Sequence, residues 1–260
     1  MTKVESKLAV SLDNVSKSFG TVQAVIGLDL QIDAGTVFGF LGPNGSGKST
    51  AMKMIMGLLK ADSGNLNVYG IDVSNNPWGT KKIVGYVPES PRLYEFLTGL
   101  EYLDFVADVY GLKSVAKKTR IDEFLAAFDL EHRENEMISG YSHGMKQKIA
   151  IIAALLHKPR LLILDEPLSG LDPKSARIMK DLIHKLANEG VTTILSTHVL
   201  EIADAVCDKV AIMYQGNKLA EGKPEELRNK SKMPDSTLEE IFLKLTGTSD
   251  IKAIVEALGK

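Results

Sequence analysis

The segment Gly42-Pro43-Asn44-Gly45-Ser46-Gly47-Lys48-Ser49-Thr50 constrains this chain more than any other. It follows the apolar run Thr36 to Leu41 and precedes Met52, Ile55, Met56 and Leu59 at helical spacing, which the methionines mark as core packing. Strand, glycine loop and helix in that order leave few folds open. The glycines let the backbone curl until successive N–H groups point at one place, and the helix adds its positive dipole end. The pattern is G-x-x-x-x-G-K-[ST], so the loop is expected to cradle the phosphates of a nucleoside triphosphate. Lys48 would reach the β- and γ-phosphates and the Ser49 hydroxyl would ligate Mg²⁺.

A second constraint lies over a hundred residues on. Leu161 to Leu164 is uninterruptedly apolar, as expected of a strand buried on both faces of a parallel sheet. It ends at Asp165-Glu166, where such a sheet delivers side chains to its ligand crevice. Asp165 is expected to hold Mg²⁺ through water, since this small ion keeps several of its waters. Glu166, one residue on, is suited to polarise an attacking water as general base. His198 closes the strand Val191 to Ser196 at the same crevice. No Cys/His cluster surrounds it in the sequence, so contact with the γ-phosphate or the water is the better reading than metal binding.

The rest of the chain alternates strand and helix. Short strands fill Leu8 to Ile32, with turns at Phe19-Gly20 and Asp33-Ala34-Gly35, and two more cover Asn65 to Tyr69 and Ile83 to Val87. From Pro88 to His157 the pattern is helical, with a Thr98/Glu101 capping box and an Ile121, Phe124, Leu125, Phe128 stripe. Asp172-Pro173 reads as N-cap and first turn of a helix striped by Ile178, Leu182 and Leu186 and ended by Gly190. Val210 to Ala220 reads as a hairpin turning at Gly216-Asn217. Two amphipathic helices are expected in the tail, on Leu238, Ile241, Phe242 and Leu245, and on Ile251, Ile254, Val255 and Leu258; both are read as packing onto the body.

With 260 residues, 44% of them hydrophobic, the chain can bury a sizeable core. A net charge of −2 argues against a nucleic-acid partner. The single cysteine, Cys207, excludes an internal disulfide and reads as a small core residue. The N-terminus has no signal-peptide pattern, and the longest apolar run, Ile149 to Leu156, is far short of the ~20 residues a membrane span needs. If the protein acts at a membrane, another chain must provide the spans.

Five ordered segments, GPNGSGKST, YVPES, YSHGMKQK, LLILDEP with SGLD, and STH, closely resemble the nucleotide-binding subunits of ATP-binding cassette (ABC) transporters. The resemblance implies an α/β fold: a RecA-like P-loop NTPase core with an antiparallel β-subdomain (1–88 and 159–230), a helical signature subdomain (89–158) and a C-terminal helical extension (231–260). It implies ATP and Mg²⁺ as ligands. It also implies head-to-tail pairing with a second copy, each ATP lying between one chain's phosphate loop and the other's signature. Ser142, N-capping a helix to about His157, and Gly144 match that signature. Asp172 matches a segment crossing the interface, and Phe19 the aromatic that stacks on adenine, worth about 1–3 kcal/mol; Phe19 also reads as simple core filler.

Two positions depart from the family. Glu89 stands where most members carry glutamine and can only accept hydrogen bonds when ionised; it can still ligate Mg²⁺. Met145 replaces the glutamine of the common LSGGQ signature. Both fit the small ATPases that serve separate, exporter-like permease chains, which implies a cytoplasmic subunit held at the inner face of the membrane. In that family Glu89 and Arg92 to Phe96 lie where the permease is coupled. A soluble, non-transport ABC ATPase would carry a coiled-coil insertion or a second cassette, and an unrelated P-loop kinase would have no use for YSHGMKQK or SGLD.

Overall fold

A computed structural model describes residues 8–168, 171–231 and 236–247. The chain begins with β1 (Leu8–Phe19), β2 (Val22–Asp33), β3 (Val37–Leu41), α1 (Lys48–Ile55), β4 (Ser63–Val68), β5 (Ile71–Asp72), α2 (Pro77–Ile83) and β6 (Val84–Val87). The helices α3 (Gly99–Val109), α4 (Ser114–Ala127) and α5 (His143–Leu155) follow before the chain returns to β7 (Leu161–Asp165). Then come α6 (Pro173–Asn188), β8 (Thr192–Thr197), α7 (Leu200–Val206), β9 (Lys209–Tyr214), β10 (Asn217–Gly222), α8 (Pro224–Lys230) and α9 (Leu238–Thr246).

Two sheets organise these elements. One is antiparallel, in the order β2-β1-β4-β5; the other runs β10-β9-β3-β8-β7-β6, with parallel pairing throughout except for the β9–β10 hairpin. Alternation along the central strands divides the interior in two. Phe38, Phe40, Leu161, Ile163 and Ile194 face α1 and the antiparallel sheet, whereas Leu41, Leu162, Leu164 and Leu195 face α3, α5 and α6. Strands buried on both faces favour near-continuous apolar runs, as in LLIL and VFGFL; β8 is equally buried yet carries threonines and a serine. Phe38 and Phe40 meet edge to face at 5.4 Å. Cys207 is buried, as expected of a small core residue, and burial pushes its thiol far above the usual range.

Several sequence expectations shift in detail. α1 stops at Ile55, so Leu59 lies past the helix; the chain turns through Gly57 at φ +66°. The segment from Pro88 to Leu97 is irregular, and helix begins only at the capping box, where Thr98 N–H donates to Glu101 Oε2 (2.8 Å) and Glu101 N–H to Thr98 Oγ1 (3.2 Å). α5 likewise ends at Leu155, short of His157. The stripe of α6 is deepest along Ser175, Met179 and Ile183, with Ile178, Leu182 and Leu186 half-buried on its flank. The hairpin turns at Gln215-Gly216, both at positive φ, one residue earlier than the sequence suggests, because Asn217 already pairs with Tyr214. Three short helices, α2, α7 and α8, lack an apolar period long enough to be read. The expected second tail helix on Ile251 to Leu258 lies outside the described residues; α9 packs Leu238 and Ile241 into the body.

Candidate active site

β3 delivers the chain to Gly42 at the carboxyl edge of the parallel sheet. The backbone then passes through φ +146° at Gly42, +79° at Gly45 and +105° at Gly47. A Cβ on Gly42 would lie 2.1 Å from the Met213 carbonyl oxygen, and one on Gly47 2.3 Å from that of Ala24. Both positions therefore require glycine, for close approach as well as for conformation. α1 opens at Gly47, which supplies no side-chain cap, so the first N–H groups of the helix remain for an anion. Ser46 Oγ is buried in this loop and has no protein partner.

Lys48 folds back over the loop, its Nζ donating to Gly42 O at 2.7 Å and Pro43 O at 3.0 Å. Burial pulls the ammonium below its ordinary pKa, against the opposing pull of Glu166, Asp165 and Glu89. Those carboxylates come from the neighbouring strand ends. Asp165 and Glu166 are both 6% exposed. The Ser49 hydroxyl donates to Asp165 Oδ1 at 3.1 Å, which joins the phosphate loop to β7 across 116 residues of sequence. From β8, Ser196 Oγ donates to the same oxygen at 2.5 Å and accepts the Glu166 N–H at 3.1 Å. Glu166 sits at φ +49°, and its Oε1 lies 2.9 Å from Nδ1 of His198, just past β8. Glu89, exposed beyond the end of β6, helps to raise the Tyr86 phenol, pushed up to about 12 by burial first and by Asp165 and Glu89 after it. A phosphate cradle thus faces a pair of buried carboxylates, one held to a serine of the loop and the other to a histidine.

The family signature described as "ABC transporter" matches residues 25–169, the stretch that carries most of this geometry. The chain belongs to the ABC transporter family. Among curated relatives it is similar to the linearmycin resistance ATP-binding protein LnrL of Bacillus subtilis, at 39% identity over 83% of this chain and 69% of that protein. Among solved structures it is similar to an ATP-binding subunit of an ABC transporter, with a TM-score of 0.87 and 32% identity over 92% of this chain and 99% of that one. It also matches the dimeric ATP-binding cassette MJ0796 in a post-hydrolysis state with ADP and Pi, with a TM-score of 0.76 and 26% identity over 82% of this chain and 98% of that one. The RecA-like fold expected from the sequence is therefore present, and the protein is an ATP-hydrolysing transporter subunit.

Within this ABC subunit not every expected site residue meets the others. Lys48, Ser49, Asp165, Glu166 and His198 converge. Ser142 and Gly144 do not: among the described residues no hydrogen bond or ion pair links them to the phosphate loop. Ser142 is exposed and caps α5, its Oγ accepting the Met145 N–H at 3.3 Å. Asp172 caps α6, accepting from Ser175 N–H (3.0 Å) and Ser175 Oγ–H (2.6 Å); these bonds hold its carboxyl below the usual carboxylate range. Phe19 is 50% exposed, with Lys17 Nζ 5.6 Å from its ring centre, which leaves a face open and does not favour core filler. Sequence reasoning gave Ser196 no role. A signal was available in the all-buried strand TTILST, where a hydroxyl needs a partner.

Proposed function

We propose that two copies of this chain close head-to-tail over two ATP molecules, each held by the phosphate loop of one copy and the Ser142 to Gly144 helix end of the other. The observation that carries this is the isolation of an exposed, capped helix N-terminus from a phosphate loop otherwise complete in its own chain. A helix N-terminus is an anion site, and α5 offers one that, among the described residues, has no hydrogen bond or ion pair to its own phosphate loop. In this arrangement Gly42 to Thr50 wrap the phosphates, Lys48 exchanges its two loop carbonyls for phosphate oxygens, and Phe19 stacks on adenine. Asp172 lies where the copies meet.

Ser49 Oγ, Asp165 and Glu89 form an oxygen-only donor set suited to Mg²⁺, which binds one or two carboxylates and completes its shell with water and phosphate. Among the described residues no cluster of three or more His, Cys, Asp and Glu side chains would hold a metal by itself, in keeping with an ion shared with the substrate. When bound, it would neutralise charge on the β- and γ-phosphate oxygens. Glu166 accepts a proton from water as the water oxygen attacks the γ-phosphorus; the bond to the β-phosphate oxygen breaks, and ADP and phosphate result. His198 holds the Glu166 carboxylate through Oε1.

The partner at the membrane is a separate permease, docked on the groove between α2–β6 and α3–α5. Trp78, Leu93, Phe105 and Tyr86 line it, and Lys81, Lys82 and Arg92 edge it. Trp78 is 73% exposed, its ring partnered by Lys81 Nζ at 4.9 Å from the centroid, which presents a large aromatic surface edged by positive charge. The unit 89–158 moves with that permease, and the subunit sits at the inner face of the membrane. The name of LnrL supports export of a toxic compound as the transport direction.

A Ser142→Asp substitution tests the shared site. Aspartate caps a helix as well as serine does, so α5 is kept, but its charge would face the γ-phosphate. Turnover is expected to fall more than about tenfold through like-charge repulsion while ATP binding by the separated chain is unchanged. Undiminished turnover would contradict the sandwich.

A further inference from the structure

Ser196 is wholly buried in β8, opposite Asp165 of β7 in the strand register. Its one hydroxyl does two things. It donates to Asp165 Oδ1 at 2.5 Å and accepts the Glu166 backbone N–H at 3.1 Å, while the Ser196 carbonyl accepts that same N–H at 3.3 Å. We propose that Ser196 is the positioning residue that sets Asp165 and Glu166 together, so that the carboxylate facing Ser49 and the general base are aligned by a single side chain.

The physical case rests on what each carboxylate lacks without it. Asp165 Oδ1 would keep only the Ser49 hydroxyl, which is the group expected to turn to the metal when nucleotide binds. Donation from Ser196 fixes the rotamer of Asp165 whether or not Ser49 has turned away. Glu166 occupies the left-handed region at φ +49°, sparsely populated for a residue with a Cβ. Its N–H, gripped by both oxygens of Ser196, holds that conformation and aims the side chain at His198. No other hydroxyl of the strand substitutes. Thr197 Oγ1 accepts the Val199 N–H, and Thr193 Oγ1 is buried without a partner. The proposal rests on the reading of Asp165 as the metal-holding carboxylate and Glu166 as the base.

Valine and threonine share one shape, so Ser196→Val and Ser196→Thr impose the same packing change and differ only in the hydroxyl. Full-length variants are compared in steady-state ATPase assays over a Mg²⁺ titration and in binding of a fluorescent ATP analogue with EDTA. Ser196→Val is expected to need roughly tenfold more Mg²⁺ for half-maximal turnover and to lose roughly tenfold in kcat, the scale of a lost hydrogen bond to a charged group. Ser196→Thr should hold both close to wild type, and all three proteins should bind the analogue alike without metal. Equal effects of Val and Thr would overturn the proposal. So would a valine variant whose metal-free nucleotide affinity falls as far as its turnover. A Glu166→Gln control separates the two levels: if it hydrolyses ATP normally, the underlying reading of the carboxylates fails and the proposal with it; if it is inactive while Val and Thr behave alike, the role of Ser196 alone is wrong.

Discussion

At the scale of single residues the site is a relay of short polar contacts between strand ends. Ser49, Asp165, Ser196, Glu166 and His198 are linked atom to atom, and three of them are almost wholly withdrawn from water. Buried carboxylates without compensation would be costly, and here hydroxyls and a histidine supply it. Glu89 stands apart as an exposed carboxylate whose charge still reaches Lys48 and Tyr86. If Glu89 belongs to the proposed Mg²⁺ donor set, Glu89→Gln removes an oxygen anion from it, so the Mg²⁺ needed for half-maximal turnover should rise about threefold, a loss of somewhat under 1 kcal/mol for a surface charge. A lowered or unchanged requirement in a Mg²⁺-titrated ATPase assay would exclude Glu89 as a ligand. The phosphate loop was legible in full because its nine residues are contiguous and their chemistry is local. Ser196 was not, because its partners lie 31 and 30 residues away and only strand pairing brings them near.

Elements show the same division between local and distant causes. The Thr98 capping box and the Asp172-Pro173 start are set by neighbours three residues off, and both stand in the structure as the sequence implies. The end of α5 is set by contacts no pattern shows. His157 stacks on Tyr110 at 3.8 Å and 7°, and its Nε2–H donates to Val84 O at 3.1 Å, tying the ends of α3 and α5 to the start of β6. Its Nδ1 is buried with no partner. Burial and then Arg120 hold the imidazole below its ordinary pKa, with only the Val84 carbonyl opposing them. The sign follows from linkage: below about pH 6.5 the unfolded chain takes up a proton that the folded one resists, so stability falls with pH in that window. His157→Phe keeps the ring and loses the proton. The wild type should therefore drop about 2 °C further in Tm than this variant between pH 7.5 and 5.5, as followed by thermal melts. Equal drops would show that His157 does not resist protonation.

The whole molecule is built so that one parallel sheet presents the phosphate loop, both carboxylates and His198 at one edge, while the capped end of α5, inserted between β6 and β7, has no hydrogen bond or ion pair to them among the described residues. Chain order gives this much: the loop, the insert and the DE strand are already in sequence as the fold uses them. What order alone does not give is which face of the insert meets the core and how the groove lined by Trp78 and Phe105 forms, since both depend on packing among residues from α2, β6, α3 and α5. In the proposed closed pair, an ATP site divided between two copies would convert binding into movement, because only that pair would offer each ATP both halves and ligands shift conformations by differential affinity.

That claim is tested most directly by the oligomeric state of Glu166→Gln. Removing the base while leaving the phosphate loop and Ser142 intact should stop hydrolysis and hold the closed form. Light scattering coupled to size exclusion should show a dimer with ATP and Mg²⁺ and a monomer without nucleotide. A variant that remained monomeric in saturating ATP, or that hydrolysed ATP at the wild-type rate, would contradict the account.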